Sequence, residues 1–271
     1  MITTEELRNF LTSIRNKYGY DFTDYAEASV QRRIENFMNK NQVSSIQALG
    51  EELLNNDSRF SIFVQEFTVN VTEMFRDPTF YKSLVANVFT RLKTYNVIRI
   101  WIAGCSTGEE VYSIAILLRE AGLLERSIIY ATDINPKSLL AAKEGIFNIS
   151  HMKSYTENYQ KAGGKNSFSD YYIAKYDSAM LDKSLRKNIV FSAHNLAADK
   201  SFNEFQLILC RNVLIYFNQS LQNRVINLFY DSLCPFCFLA LGNKESLLFS
   251  EKRKFFTDLD RKEKIYIKNN E

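Results

Sequence analysis

The sequence predicts an α/β fold preceded by an all-α N-terminal unit. Apolar residues recur at helical spacing from Thr3 to about Asn70, where glycine is scarce and proline absent. Beyond Asp77-Pro78 short apolar runs alternate with helical segments, the pattern of a parallel sheet covered on both faces. Into that pattern is set a polar, tyrosine-rich insert, too long for a structureless loop, which reads as a small β-subdomain.

Taken in order, Leu7, Phe10, Leu11 and Ile14, then Val30, Ile34, Phe37 and Met38, form apolar stripes suited to short helices packed together. Arg32, Arg33 and Lys40 fall on one such helix and by themselves read as a solvated face. A helix over about 79–94 leads to six candidate strands: Ile98 to Ala103, Ile128 to Thr132, Ile189 to Ser192, Leu207 to Cys210, Phe238 to Leu241 and Ile265 to Lys268. The insert runs from about Tyr155 to Lys187 and carries Gly163-Gly164 and the alternating stretch DYYIAKY. The expected division is a helical domain over 1–75 and an α/β domain over 76–271.

With 271 residues, 46% of them hydrophobic, the chain can bury a sizeable core. A net charge of +3 is too near balance to suggest nucleic acid or an anionic membrane surface. The two parts differ, however: residues 1–75 hold 7 Lys/Arg against 11 Asp/Glu, and the remainder 27 against 20. No apolar run reaches the roughly 20 residues that span a bilayer, and MITTEELRNF has no signal-peptide blocks, so a cytoplasmic protein is expected. Cys105, Cys210, Cys234 and Cys237 read as thiols in a reducing compartment, and the single C-x-x-C pair as structural.

Gly104-Cys-Ser-Thr-Gly108 is a literal G-x-S-x-G between a strand and a helix, the setting of a hydrolase nucleophile. Such an enzyme needs an acid and then a histidine late in the chain, whereas His151 and His194 both precede the final strands. A cofactor cradle explains more residues. Gly104 and Gly108 permit a tight turn before a helix N-terminus, and Asp133 ends the next strand, where a carboxylate can take ribose hydroxyls. The third glycine of a dinucleotide fingerprint is missing and no G-K-[ST] is present. Glu109 and Glu110 at the helix start suit a cationic amino or sulfonium group, as S-adenosylmethionine carries. Asn195, Arg211, Asn212 and Tyr216 follow later strands and face the same crevice. Ser106 is then a turn residue whose hydroxyl helps the loop hold its shape.

The blocks NVTEMFRDP (70–78), IWIAGCSTGEEVYSIA (100–115), IYATDINPKSLLAAKEGIF (129–147), VFSAHNL (190–196) and LILCRNVLIYFN (207–218) resemble those of the CheR-type chemotaxis receptor methyltransferases. The resemblance spans nearly the whole chain. It implies a Rossmann-like, seven-stranded class I methyltransferase domain with a β-subdomain insertion behind a helical domain. It implies transfer of a methyl group from S-adenosylmethionine to receptor glutamates, leaving S-adenosylhomocysteine. Cofactor contacts carried over are Asn70, Thr72, Arg76, Glu110, Asp133, Asn195, Leu196, Arg211 and Asn212, with Gly104 in the turn. Arg76 and Tyr216 would lie nearest the transferred methyl. The implied partner is the helical cytoplasmic region of chemotaxis receptors, met through basic residues of the helical domain, with a receptor C-terminal peptide docking at the β-subdomain in some members. No metal, nucleic acid or membrane insertion is implied.

This chain departs from the family pattern at Met74, at Val111 and at GNKES (242–246), the last near the active-site rim. The alternatives to receptor methylation are an S-adenosylmethionine-binding regulatory or adaptor protein, a methyltransferase acting on another protein or small molecule, and last the hydrolase.

Overall fold

The computed structural model describes residues 2–68 and 72–270. The N-terminal part is four helices: α1 (Thr4–Tyr18), α2 (Glu27–Asn41), α3 (Ile46–Asn55) and α4 (Asp57–Phe67). Helix α1 starts at a capping box. The Thr3 hydroxyl accepts from Glu6 N, and the Glu6 carboxylate accepts from Thr3 N at 2.9 Å. It stops at Gly19, whose left-handed backbone no β-carbon strains. The apolar stripes turn inward together: Leu7, Phe10, Leu11, Ile14, Val30, Ile34 and Phe37 are buried, with Met38 packed at the margin. Phe63 of α4 is fully buried at their centre, with ring contacts to Phe10, Phe37 and Phe67.

The second part opens with α5 (Pro78–Ser83), which continues through a π-helical stretch (Leu84–Phe89) into α6 (Thr90–Leu92). There follow β1 (Ile98–Ala103), α7 (Glu109–Glu120), β2 (Ser127–Asp133), α8 (Pro136–Glu144), β3 (Ile146–Asn148), α9 (Met152–Lys161), β4 (Tyr172–Lys175) and β5 (Ser178–Leu181). Then come β6 (Ile189–Ala193), β7 (Phe205–Cys210), α10 (Gln219–Ser232), β8 (Leu233–Leu241), β9 (Phe256–Asp260) and β10 (Ile265–Lys268).

Seven strands form one sheet in the order β6-β2-β1-β7-β8-β10-β9. Alternation along β1 sends Ile98, Ile100 and Ile102 into the layer that holds α7, and Trp101 and Ala103 into the layer that holds α10. Both faces are therefore covered, as near-continuous apolar strands require. The sheet is parallel only from β6 to β8, since β10 runs antiparallel to β8 and to β9. Strand β9 escapes the six sequence candidates because Thr257, Asp258 and Asp260 interrupt its apolar pattern at the sheet edge. A separate antiparallel sheet has the order β3-β5-β4. Its first strand lies ahead of the expected insert, and α9 takes up that insert's beginning.

The helical part is tied to the large sheet beside the loop after β7. Ala26 N donates to Tyr216 O and Asn218 N to Asp24 O, each at 2.9 Å, making a bridge between Tyr25 and Phe217. Asn135 Nδ2 donates to Thr68 Oγ1 at 2.8 Å, a second tie. No helix among the described residues is long and apolar enough to cross a membrane.

Phe63→Ala is expected to cost about 3–5 kcal/mol, the range for a fully buried phenylalanine whose cavity cannot collapse. Denaturant unfolding followed by far-UV circular dichroism measures it. A loss below about 1 kcal/mol would mean that the four-helix core is not organised around this ring.

Candidate active site

A cleft enclosing about 1010 Å³, open mouth included, lies outside the carboxyl ends of β1, β2, β6 and β7, where ligands bind in open α/β sheets. Its floor is the turn after β1. Gly104 sits at φ +75°, and a β-carbon there would meet Val213 Cγ2 at 2.4 Å, so only glycine lets this turn rest against the loop after β7. Ser106 follows at φ +49°, with its N–H donating to Asp133 Oδ2 at 2.8 Å. The other oxygen of Asp133 accepts from Asn135 N at 2.9 Å. One carboxylate thus holds the ends of two strands in register. Burial pushes its pKa up, against the pull of these backbone donors.

The wall opposite is built on Arg211, whose side chain is only 3% exposed. Nη1 donates to Glu110 Oε1 at 2.7 Å; Nη2 donates to Asp77 Oδ2 at 2.9 Å and to the Arg76 carbonyl at 3.2 Å. The guanidinium carbon lies 4.0 Å from the centre of the Phe80 ring. Burial alone would disfavour the charge, but Glu110, Tyr81 and Asp77 outweigh it and keep the guanidinium protonated. Tyr81, fully buried beside this pair, is pushed well above the usual phenol range by burial.

Four of the eight non-glycine residues with positive φ among the described residues belong to these loops: Phe75, Asp77, Ser106 and Asn212. Such backbone costs on the order of 1 kcal/mol or more per residue and persists only where its surroundings fix it. At Asn212 the fixing group is Glu245. Its buried carboxylate accepts from Asn212 N (3.0 Å), Val213 N (2.8 Å) and Gly242 N (2.6 Å), clamping the loop after β7 to the end of β8. Burial raises its pKa and the three N–H donors oppose that rise. Glu245 lies within GNKES, the stretch that departs from the family pattern, and no motif marks it. Its signal was a glutamate three residues after a glycine that closes an apolar strand.

Of the site residues expected from sequence, Thr72, Arg76, Gly104, Glu110, Asp133, Asn195, Leu196, Arg211, Asn212 and Tyr216 line this one cleft. Asn70 lies outside the described residues. Two expectations need correction. Glu109 does not share the cleft with Glu110: one step along a helix turns a side chain by about 100°, and Glu109 is buried with its carboxylate accepting from Thr107 Oγ1 at 2.7 Å. The Ser106 hydroxyl does not hold the loop, because its oxygen is buried with no hydrogen-bond partner in the protein; the backbone N–H does that work.

Sequence reasoning also missed the contribution of the helical part. Tyr25 and Arg33 line the cleft. The Arg33 guanidinium stands 4.4 Å from the centre of the Tyr216 ring, and Nη1 donates to Phe67 O at 2.9 Å. Arg32 and Lys40 are exposed, with Lys40 paired to Glu66 at 2.8 Å. Helical periodicity sets Arg33 at the flank of the buried stripe and Arg32 opposite it, but nothing in the sequence says that this flank meets the cleft.

Three buried polar atoms on the lining have no partner within the protein: Ser106 Oγ, His194 Nδ1 and Arg211 Nε. Buried polar atoms are rarely left so, and that all three belong to residues lining one cleft fits a polar ligand. A ligand with ribose hydroxyls, a cationic centre and a carboxylate matches the mixture of Asp133, Glu110 and Arg76 around them.

A family model described as "CheR methyltransferase, all-alpha domain" matches residues 5–68, and one described as "CheR methyltransferase, SAM binding domain" matches residues 70–263. The chain is 49% identical over 267 residues to the protein named Cher3 of Pseudomonas putida, covering 98% of each. It is 30% identical over 241 residues to a chemotaxis protein methyltransferase of Listeria innocua, covering 88% of this chain and 89% of that one. With chemotaxis protein methyltransferase 2 of Vibrio cholerae the identity is 32% over 211 residues, 74% of this chain and 68% of the relative.

Glu245→Gln is expected to leave at least one of the three clamped N–H groups unpaired, costing about 1–3 kcal/mol. Thermal unfolding and S-adenosylhomocysteine titration should both register the change. Unaltered values in both would remove Glu245 from the account of the site.

Proposed function

This chain belongs to the CheR methyltransferase family and takes S-adenosylmethionine as cofactor, and on that premise we propose that it methylates glutamate side chains of chemotaxis receptors. The product is a glutamyl methyl ester and the role sensory adaptation, in the cytoplasm. The observation that carries the reading is the placement of Arg76 and Tyr216 on the cleft formed by Glu110, Asp133, Asn195 and Arg211.

The cofactor, when bound, supplies an electrophilic methyl group on a sulfonium. In this reading Glu110, Asp133, Asn195, Leu196, Arg211 and Asn212 hold it, with Thr72 and Gly104 closing around it. The chain itself has little proton chemistry to do. A glutamate ordinarily titrates at about 4.3, so the nucleophile is already an anion at neutral pH and needs no base. His194 is engaged elsewhere: its ring packs edge-on against Trp101 at 5.2 Å, and its Nε2 lies 3.2 Å from the Lys200 carbonyl.

What remains is orientation and exclusion of water, which in well-aligned systems contribute roughly 7–11 kcal/mol. Arg76 offers a planar fork to a carboxylate, either the cofactor's or the substrate's. Tyr216 offers a hydroxyl and a ring edge to the incoming glutamate. Arg33 acts through Tyr216, its cation fixing the ring from the helical side. The helical part therefore completes the site as well as meeting the receptor. The three-stranded sheet leaves strand β4 with Ile173 exposed at one edge, and there a receptor C-terminal peptide could add a strand.

The test is incubation with methyl-labelled S-adenosylmethionine and a chemoreceptor cytoplasmic fragment, followed by assay for base-labile methyl ester. Label is expected on glutamates, reduced about 100-fold or more in Arg76→Ala and retained at a substantial level in Ser106→Ala. Tight cofactor binding without ester on any cognate receptor would favour an adaptor role or another substrate. Loss of transfer in Ser106→Ala with cofactor binding intact would contradict a reading in which this hydroxyl takes no part in the chemistry.

A further inference from the structure

The C-x-x-C segment lies at the other end of the sheet from the cleft. Leu233 of β8 pairs with Phe205 of β7, and pairing resumes with Phe238 opposite Leu207. Gln206 alone therefore faces Cys234, Pro235, Phe236 and Cys237, which leave the ladder as a bulge. Phe236 at its tip is left-handed (φ +61°) and 59% exposed. The bulge turns both cysteines to one point, with their sulfurs 2.7 Å apart. Both are free thiols.

The surroundings divide the pair. Cys234 is half-buried and reachable from solvent, while Cys237 lies behind it, fully buried, with the Tyr95 hydroxyl 3.4 Å from its sulfur. Gln206 Nε2 donates to the Cys234 sulfur at 3.4 Å, and Gln206 Oε1 accepts from Arg99 N at 2.7 Å, which fixes the direction of that amide. As a thiol, Cys234 donates to Phe205 O at 3.0 Å. Hydrogen bonds from Cys237 and Gln206 draw the Cys234 thiol below its ordinary pKa, and the same contact pushes Cys237 up. Cys105, beneath the cleft, and Cys210, in the core, are buried in contrast, and burial drives both well above the ordinary thiol value. One pair of the four cysteines is thus set apart by contact, access and polar support.

We propose that Cys234 and Cys237 are a redox-active dithiol that a peroxide closes to an intramolecular disulfide and a small dithiol reopens. The Cys234 sulfur attacks a peroxide oxygen; the S–O bond forms, the O–O bond breaks, and water or an alcohol leaves with the second oxygen. Cys237 then attacks the sulfenic sulfur; the S–S bond forms, the S–O bond breaks, and water leaves. Two thiols are oxidised by two electrons in all, and the peroxide is reduced by the same two. Reopening is thiol–disulfide exchange, entered at the half-buried Cys234 sulfur rather than at the fully buried Cys237. The site is remote from the cofactor cleft and independent of the methyl-transfer reading.

The experiment uses the full chain treated with hydrogen peroxide, then alkylated under denaturing conditions, digested and mapped by mass spectrometry. The expected result is loss of two alkylatable thiols and a peptide across 234–237 lighter by about 2 Da through a Cys234–Cys237 bridge, both reversed by dithiothreitol. In Cys237→Ser the sulfenic acid has no resolving thiol, so a dimedone adduct should accumulate on Cys234. Four alkylatable thiols after peroxide, or a bridge to Cys105, Cys210 or a second chain, would overturn the assignment. The mapping on the unaltered chain decides the matter even if a variant fails to fold.

Discussion

The cleft depends on one buried cation. A guanidinium as enclosed as that of Arg211 is tolerable only with its charge and donors answered, because removing one partner of a buried pair costs several kcal/mol. Its two carboxylates come from different elements. Glu110 lies in the first turn of helix α7 and Asp77 precedes helix α5, so pairing them through Arg211 fixes both elements relative to the end of β7. The same constraint explains the backbone around Arg76. Phe75 and Asp77 on either side are left-handed, and the Arg76 carbonyl itself accepts from Arg211. The residue proposed to orient a carboxylate is thus placed by its backbone.

A second set of contacts makes the cleft a property of both parts of the chain. The Tyr25–Phe217 bridge, the Thr68–Asn135 bond and the Arg33–Tyr216 stack all reach the cleft loops from the helical side. Tyr216 is held through its backbone by Ala26 and over its ring by Arg33. A receptor helix that displaced α2 would therefore act on the position of Tyr216. Substrate recognition and catalytic geometry are proposed to share that helix.

Much of this was legible in the sequence because the informative residues sit where periodicity ends. Gly104, Asp133, Asn195, Arg211 and Tyr216 each follow an apolar run, and the topology rule for open sheets brings such ends together. The helical core was legible for the same reason, since a stripe such as Leu7, Phe10, Leu11 and Ile14 has only one way to be buried. What escaped depends on contacts between distant segments. Helical rotation puts Arg33 at the flank of the Val30, Ile34 and Phe37 stripe and Arg32 on the opposite face, but only the docking of α2 against the loop after β7 brings Arg33 to the Tyr216 ring. Glu109 and Glu110 looked equivalent at a helix start, yet helical rotation gives one to Thr107 and the other to Arg211. Strand β9 was hidden by its polar residues, and the antiparallel turn of β10 by the absence of any local mark of direction.

The claim that this buried ion pair organises the cleft is tested most directly at Asp77, which does not itself line the cleft. Asp77→Asn keeps the shape and tolerates the left-handed backbone while removing the charge. The measurement is calorimetric titration with S-adenosylhomocysteine, with circular dichroism to verify the fold. The account predicts a folded protein whose affinity falls about tenfold or more, equivalent to at least about 1.4 kcal/mol. Unchanged affinity in the folded variant would contradict it.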